Sequence, residues 1–135
     1  MGRLVLASAF ADEYQQVLRR AAEPGALLAA CEGEAFGCTH NLAGAYLLGL
    51  WGLADSVVEA VAWHHQPSHA QPTSFSALIA VHAADYYENQ MHPDSGFGEN
   101  SAMDEPLMIQ LGLQAQLASW SNACQEVALR SAAHA

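Results

Sequence analysis

The sequence predicts an all-α fold, a bundle of about six or seven helices. Apolar residues recur three or four positions apart along most of its 135 residues, and no stretch shows the sustained alternation that a strand requires. Glycines and prolines separate these periodic segments, as they do where one helix ends and the next begins. A chain of this length suits one domain, which we predict over residues 1–135.

Helical periodicity predicts five helices in the first two thirds of the chain. They are expected at residues 10–22, 26–36, 39–51, 56–65 and 73–89. Thr39 is a favourable N-cap residue for the third of them. The apolar stretch before residue 10 resembles a very short signal peptide, but it spans only about eight residues after one basic residue. We therefore interpret it as a truncated helix.

The last third of the chain begins with a predicted loop. Residues 90–105 are rich in Gly, Ser, Asn, Pro and Asp, which predicts a mobile segment. Pro106 suits the first turn of a helix, and one or two helices are expected between residues 107 and 132.

The charge of the chain excludes two classes of partner. The sequence has no lysine, and its four arginines face 14 acidic residues, for a net charge of −10. Nucleic acids and anionic membranes both attract basic patches, so neither is an expected partner. A phosphate ligand would need a metal ion to supply the missing positive charge.

The apolar content points to a protein partner. Apolar residues make up 52% of the chain and charged residues only 13%, about half of the usual charged fraction. Either the core is unusually complete, or some apolar surface meets another subunit, and we favour the second interpretation. The expected partner is a second copy in a homodimer or another signalling protein, bound through an exposed apolar face.

The cysteines and the hydropathy pattern indicate a location in the cytoplasm. Cys31, Cys38 and Cys124 are odd in number and lack zinc-site spacing, which favours free thiols in a reducing compartment. No apolar run reaches the roughly 18 residues that a membrane span needs.

His40 occupies the first turn of the third predicted helix. The positive end of a helix dipole disfavours a protonated imidazole, so a neutral, metal-binding ring would fit there. A solvent-exposed first-turn residue is the alternative, and the pattern leaves both open.

His64 and His65 close the fourth predicted helix. Adjacent helical positions point about 100° apart, so an ideal helix would not direct both rings at one ion. At a helix end, each ring can serve a different ligand. The alternative is a cationic C-cap that stabilises the negative end of the helix dipole.

Asp85 lies in an apolar helical stretch, three residues after His82 on the same face. An acid in such surroundings is costly unless it is paired or binds a metal. A surface pair with His82 and a metal-ligand role both remain open. The sequence shows neither a serine or cysteine triad motif nor a phosphate-binding glycine loop.

These histidines and Asp85 lie in three sequence blocks that follow one another in a fixed order. They are FGCTHNLAGAYLLGLWGL at 36–53, VVEAVAWHHQP at 57–67 and AVHAAD at 80–85. Together they resemble the HDOD family, which is related to the HD-GYP phosphodiesterases and to other HD-type metal-dependent phosphohydrolases. Leu111, Gly112, Leu113 and Trp120 resemble the C-terminal helices of that family. The resemblance covers nearly the whole chain and implies an HD-domain-like helical bundle.

The resemblance also implies a set of metal ligands. Catalytic HD proteins hold their metals with an HD pair, a later histidine, a double histidine and a final aspartate. His40 matches the later histidine, His64 and His65 match the double histidine, and Asp85 matches the final aspartate. A divalent ion such as iron, manganese, zinc or magnesium would bind there, and the relatives use such ions to activate water against phosphoesters.

The HD pair itself is missing from this pattern. Gly2, Arg3 and Leu4 match the Gly-Lys-Leu segment that follows the pair in the family, so the pair would fall just before Met1. Arg3 stands for the family's lysine, and Ala54 for the proline after Trp-Gly-Leu. We expect an incomplete site that binds metal weakly and contains no catalytic residue.

The expected function is that of a non-catalytic, bacterial signal-transduction module. The alternative is a metal-dependent phosphohydrolase that completes its site with residues from a partner chain. A gene fragment with no role beyond folding is a third interpretation.

Overall fold

The structure is a computed structural model of the chain, and it describes residues 1–92 and 102–132. Over these ranges it contains eight α-helices and one short 3₁₀ turn, with no strand. The predicted all-α fold is therefore confirmed. The chain divides into two compact units, Met1–Trp63 and His64–Ala135, and each unit is described by itself. A single domain over residues 1–135 stays a prediction.

The first unit consists of five helices. They are α1 (Gly2–Ala9), α2 (Ala11–Ala21), α3 (Leu28–Phe36), α4 (His40–Leu50) and α5 (Asp55–Trp63). Helix α4 packs against both α1 and α5, while α2 packs against α3. Val17, Leu28 and Cys31 form a buried cluster between α2 and α3. The stretch interpreted as a truncated helix is α1.

Two glycines let α1 and α4 approach closely. A Cβ atom on Gly2 would lie 1.7 Å from the carbonyl oxygen of His40 and 3.0 Å from the backbone nitrogen of Gly44. A Cβ atom on Gly44 would lie 3.2 Å from the backbone nitrogen of Gly2 and 3.3 Å from Cγ1 of Val61. The backbones of the two helices thus touch where only a hydrogen atom fits.

The second unit begins with a 3₁₀ turn at Pro67–Ala70. Helices α6 (Ala77–Met91), α7 (Glu105–Gln110) and α8 (Gln114–Ala132) follow. Ile79, Leu107 and Met108 form its buried cluster, against which Leu117 and Trp120 pack. Gly112, at φ 67°, lies between α7 and α8, so two helices occupy the predicted 107–132 segment.

The largest difference from the predicted helix boundaries is at the start of α6. Helix α6 begins at Ala77 rather than near residue 73, because Ser76 is extended and the ring of Phe75 packs on Trp120 at 5.6 Å. Of the predicted loop 90–105, the first two residues belong to α6 and the last to α7, and residues 93–101 lie outside the described ranges. Thr39 precedes α4 as predicted, but its hydroxyl makes no capping hydrogen bond.

Among the described residues, none of the helices combines the length and the apolar character needed to cross a bilayer.

Candidate functional site

Glu32 and His40 form a buried carboxylate–imidazole pair in the first unit. One carboxylate oxygen, Oε2, accepts a hydrogen bond from the backbone amide of His40 at 2.8 Å and lies 2.7 Å from Nδ1 of the same residue. The Glu32 side chain is 0% exposed and His40 is 6% exposed. Glu32 therefore supplies the N-terminal cap of α4 that Thr39 does not. Of the two alternatives left open for His40, the solvent-exposed first-turn residue is wrong.

Tyr14 engages the second oxygen of the Glu32 carboxylate. Its hydroxyl donates to Oε1 of Glu32 at 2.8 Å, from a side chain that is itself buried. Burial by itself raises the pKa of Glu32, but hydrogen bonds from the ring and backbone of His40, attraction to His40 and the Tyr14 hydroxyl outweigh it. The pKa of Glu32 therefore lies below its ordinary value of 4.5, and the buried carboxylate is ionised at neutral pH.

This lowered pKa predicts a loss of stability in acid that depends on Glu32. Because the pKa is lower in the folded than in the unfolded chain, the stabilisation is complete above about pH 4.5 and is lost as the pH falls through the folded-state value. As the pH falls below about 4.5, the free energy of unfolding by urea should decline more steeply in the wild type than in Glu32→Gln. The exposed Glu59→Gln is the control. Parallel pH profiles for wild type and Glu32→Gln would refute the prediction.

Asn41 fixes the end of α5 to the start of α4. Its side-chain nitrogen donates to the carbonyl oxygen of Ala62 at 2.5 Å. Since Ala62 is the penultimate residue of α5, this bond holds the helix end that leads into the double histidine.

His64, His65 and Asp85 are neighbours in the second unit. The rings of the two histidines lie with their centroids 3.9 Å apart. Nδ1 of His65 lies 3.6 Å from Oδ2 of Asp85, an ion-pair distance. The same carboxylate oxygen accepts from the side chain of Asn89 at 3.3 Å. The two histidines follow α5 in a turn, where adjacent rings are not bound to the 100° spacing of a helix.

His82 is a structural residue of this unit. Its side chain is 0% exposed. Nδ1 lies 2.7 Å from the carbonyl oxygen of His64, and Nε2 lies 3.1 Å from the backbone nitrogen of Asp104. Nδ1–H therefore donates and Nε2 accepts, which defines a neutral ring with both nitrogens bonded. The proposed surface pair between His82 and Asp85 is wrong, since Asp85 faces His65 instead.

Replacing His82 should destabilise the second unit. In His82→Phe, the carbonyl of His64 and the amide of Asp104 lose their hydrogen-bond partner in a partly buried position, at an expected cost of about 1–3 kcal/mol. Urea unfolding followed by circular dichroism measures it. The exposed His92→Ala should change stability by less than about 0.5 kcal/mol. Equal stability of the two variants would show that these bonds contribute nothing.

The predicted ligands belong to both units of the chain. His64, His65 and Asp85 lie together in the second unit, and His40 lies in the first unit against Glu32. That all four bind one ion stays a prediction. Glu32 and His82 were missed as site-supporting residues. The signal for Glu32 was an acid next to core-forming Cys31 in an otherwise apolar helix face.

The described residues thus form an all-helical protein in which imidazole and carboxylate groups lie in contact. Residues 1–67 match the family model of the HDOD domain. The match confirms, over residues 1–67, the resemblance to the HDOD family that the sequence blocks around His40 and His64 predict. The family match ends at residue 67, so the role of Asp85 as the family's final aspartate stays a prediction. Comparisons with curated proteins and with solved structures give no match.

Proposed function

We propose that this chain is a non-catalytic HDOD-type module for signal transduction and protein interaction. The observation that supports this proposal is the set of possible metal donors in a chain whose residues 1–67 match the HDOD domain. The 135 residues supply His40, His64, His65 and Asp85 but contain no adjacent His-Asp pair. A binuclear phosphohydrolase centre relies on such a pair for a bridging carboxylate. These residues alone therefore offer too few donors to hold two ions and to activate a water between them.

A single divalent cation is the cofactor that this donor set could take. Imidazole and carboxylate groups suit zinc, manganese, iron and, less well, magnesium. The contact between His65 and Asp85 supports the proposal, because a ligating histidine commonly has a carboxylate neighbour. Binding is expected to be weak, since metal affinity falls when ligands are missing.

Helix α4 offers a face for a protein partner. His40, Gly44 and Leu48 are buried on one side of it. Leu42, Tyr46 and Leu50, spaced four residues apart, are exposed on the opposite side, with Tyr46 69% and Leu50 65% exposed. A helix that is apolar on both sides usually has both sides covered. We propose that a second copy of the chain covers this face in a cytoplasmic homodimer, where the free thiols also fit.

Self-association through α4 has a direct test. The wild type should sediment as a dimer at tens of micromolar, while Leu50→Glu should sediment as a monomer, because a charge within an apolar contact is costly to bury. Ile109→Glu changes an exposed apolar residue of the other unit and should leave the dimer intact. A monomeric wild type at this concentration would rule out the proposal.

The second candidate function is a metal-dependent phosphohydrolase that completes its site with a partner chain. The bond between Glu32 and His40 favours it, because a buried carboxylate on the Nδ1 side of an imidazole is a common arrangement behind metal ligands.

Hydrolysis of bis(p-nitrophenyl) phosphate with added manganese separates the two functions. The module proposal predicts the same background rate for the wild type and for His64→Ala, with both proteins shown to be folded by circular dichroism. Turnover by the wild type that disappears in His64→Ala would replace the module proposal with the phosphohydrolase.

A further inference from the structure

We infer that Glu32 is a positioning residue for His40, which holds the imidazole with its proton on Nδ1 so that a divalent cation would bind Nε2. This inference rests on the proposed metal role of His40 and adds the residues that control its ring. The family match covers this segment, but the assignment comes from the contacts of Glu32.

The carboxylate of Glu32 reaches His40 at two points. It accepts from the backbone amide at 2.8 Å and contacts Nδ1 at 2.7 Å, both through Oε2. The backbone bond alone would suffice to cap α4. The second contact fixes the rotation of the ring, which capping does not require.

An ionised carboxylate determines which ring nitrogen carries the proton. Because a carboxylate can only accept hydrogen bonds, Nδ1 of His40 must be the donor at 2.7 Å. In the neutral ring the lone pair then lies on Nε2, and a metal ion needs that lone pair. A carboxylate partner also increases the basicity of the ligating nitrogen.

Tyr14 completes the arrangement from the other side. Its hydroxyl donates to Oε1 at 2.8 Å, so hydrogen bonds hold both oxygens of Glu32 in place. Tyr14, Glu32 and His40 come from three different helices, α2, α3 and α4. The buried chain Tyr14–Glu32–His40 is thus fixed by tertiary packing and is rigid enough to set a ligand direction.

The experiment combines nitrogen chemical shifts of the His40 ring in isotope-labelled protein with titration by Zn²⁺ alone. The metal-free wild type should show His40 protonated on Nδ1, with the signal identified by its loss in His40→Ala. Glu32→Gln keeps the size of the side chain, but its amide can both donate and accept, so both tautomers should be populated. Zn²⁺ affinity should fall about 10-fold in Glu32→Gln, with a smaller decrease in Tyr14→Phe.

Two results would overturn the inference while the proposed metal role of His40 stands. One is a metal-free wild-type protein in which the ring of His40 is protonated on Nε2. This result is obtained on the wild type alone, so it does not depend on whether any variant folds. The other is a Zn²⁺ affinity that falls in His40→Ala but not in Glu32→Gln. If His40→Ala binds Zn²⁺ as tightly as the wild type, the proposed donor set is wrong and the inference fails with it. The tautomer of His40 in the metal-free protein separates a wrong donor set from a wrong role for Glu32, because it reports whether Glu32 orients the ring even when no metal binds.

Discussion

Gly2→Ala should destabilise the first unit by about 2–3 kcal/mol, the range expected when a well-packed contact receives an extra methyl group. The added Cβ would lie 1.7 Å from the carbonyl oxygen of His40, and a backbone atom cannot move aside as a flexible side chain can. The helices α1 and α4 must separate or the first turn of α1 must unwind. Urea unfolding measured by circular dichroism should show a lower midpoint. Gly44→Ala changes the other side of the same crossing and should act in the same direction.

Gly33→Ala is the matched control for the helix crossing. Gly33 lies inside α3, and a Cβ atom there would meet nothing within 4 Å. Alanine is favoured over glycine in a helix interior by about 1 kcal/mol, so this variant should be more stable than the wild type. A Gly2→Ala protein as stable as Gly33→Ala would contradict the close approach of α1 and α4.

Glu32→Ala should lower the free energy of unfolding by about 3–5 kcal/mol, as removal of one partner from a buried charged network does. The change leaves the backbone amide of His40 and the hydroxyl of Tyr14 without their acceptor in a buried position. It also opens a cavity at a position that is 0% exposed. Chemical unfolding at neutral pH measures the loss.

Glu34→Ala provides the comparison for Glu32→Ala in the same helix. Glu34 pairs with Arg20 at 2.5 Å, but both side chains are more than half exposed. Such surface pairs contribute less than about 1 kcal/mol. If Glu34→Ala were as destabilising as Glu32→Ala, burial of the Glu32 network would not be the source of its effect.

The order and type of the helices could be predicted from the sequence because they depend on local patterns. Apolar spacing, together with breaks such as Gly37 and Gly52, defines most of α2 to α5 without any tertiary information. The start of α6 could not be predicted in this way. Phe75 packs on Trp120, which is 45 positions away in the chain, and that contact competes with the helical preference of residues 73–76.

The site was predictable only in its residue types. Sequence blocks indicate His40, His64, His65 and Asp85 as donors, but they do not say what holds each ring. Glu32 reaches His40 across a helix junction, and His82 bonds to the backbone of His64 and of Asp104. Backbone donors and acceptors are present at almost every residue, so the sequence does not show which of them a histidine contacts. A buried structural histidine therefore cannot be distinguished from a metal ligand until its hydrogen-bond partners are known.

We propose that the donors within these 135 residues hold at most one ion, and hold it weakly. Elemental analysis of the untagged protein, purified with manganese present and then desalted, tests this claim most directly. The account predicts clearly less than one metal ion per chain, because a weakly held ion is lost on desalting. Retention of close to two ions per chain, lost in His64→Ala, would contradict the account and support the phosphohydrolase.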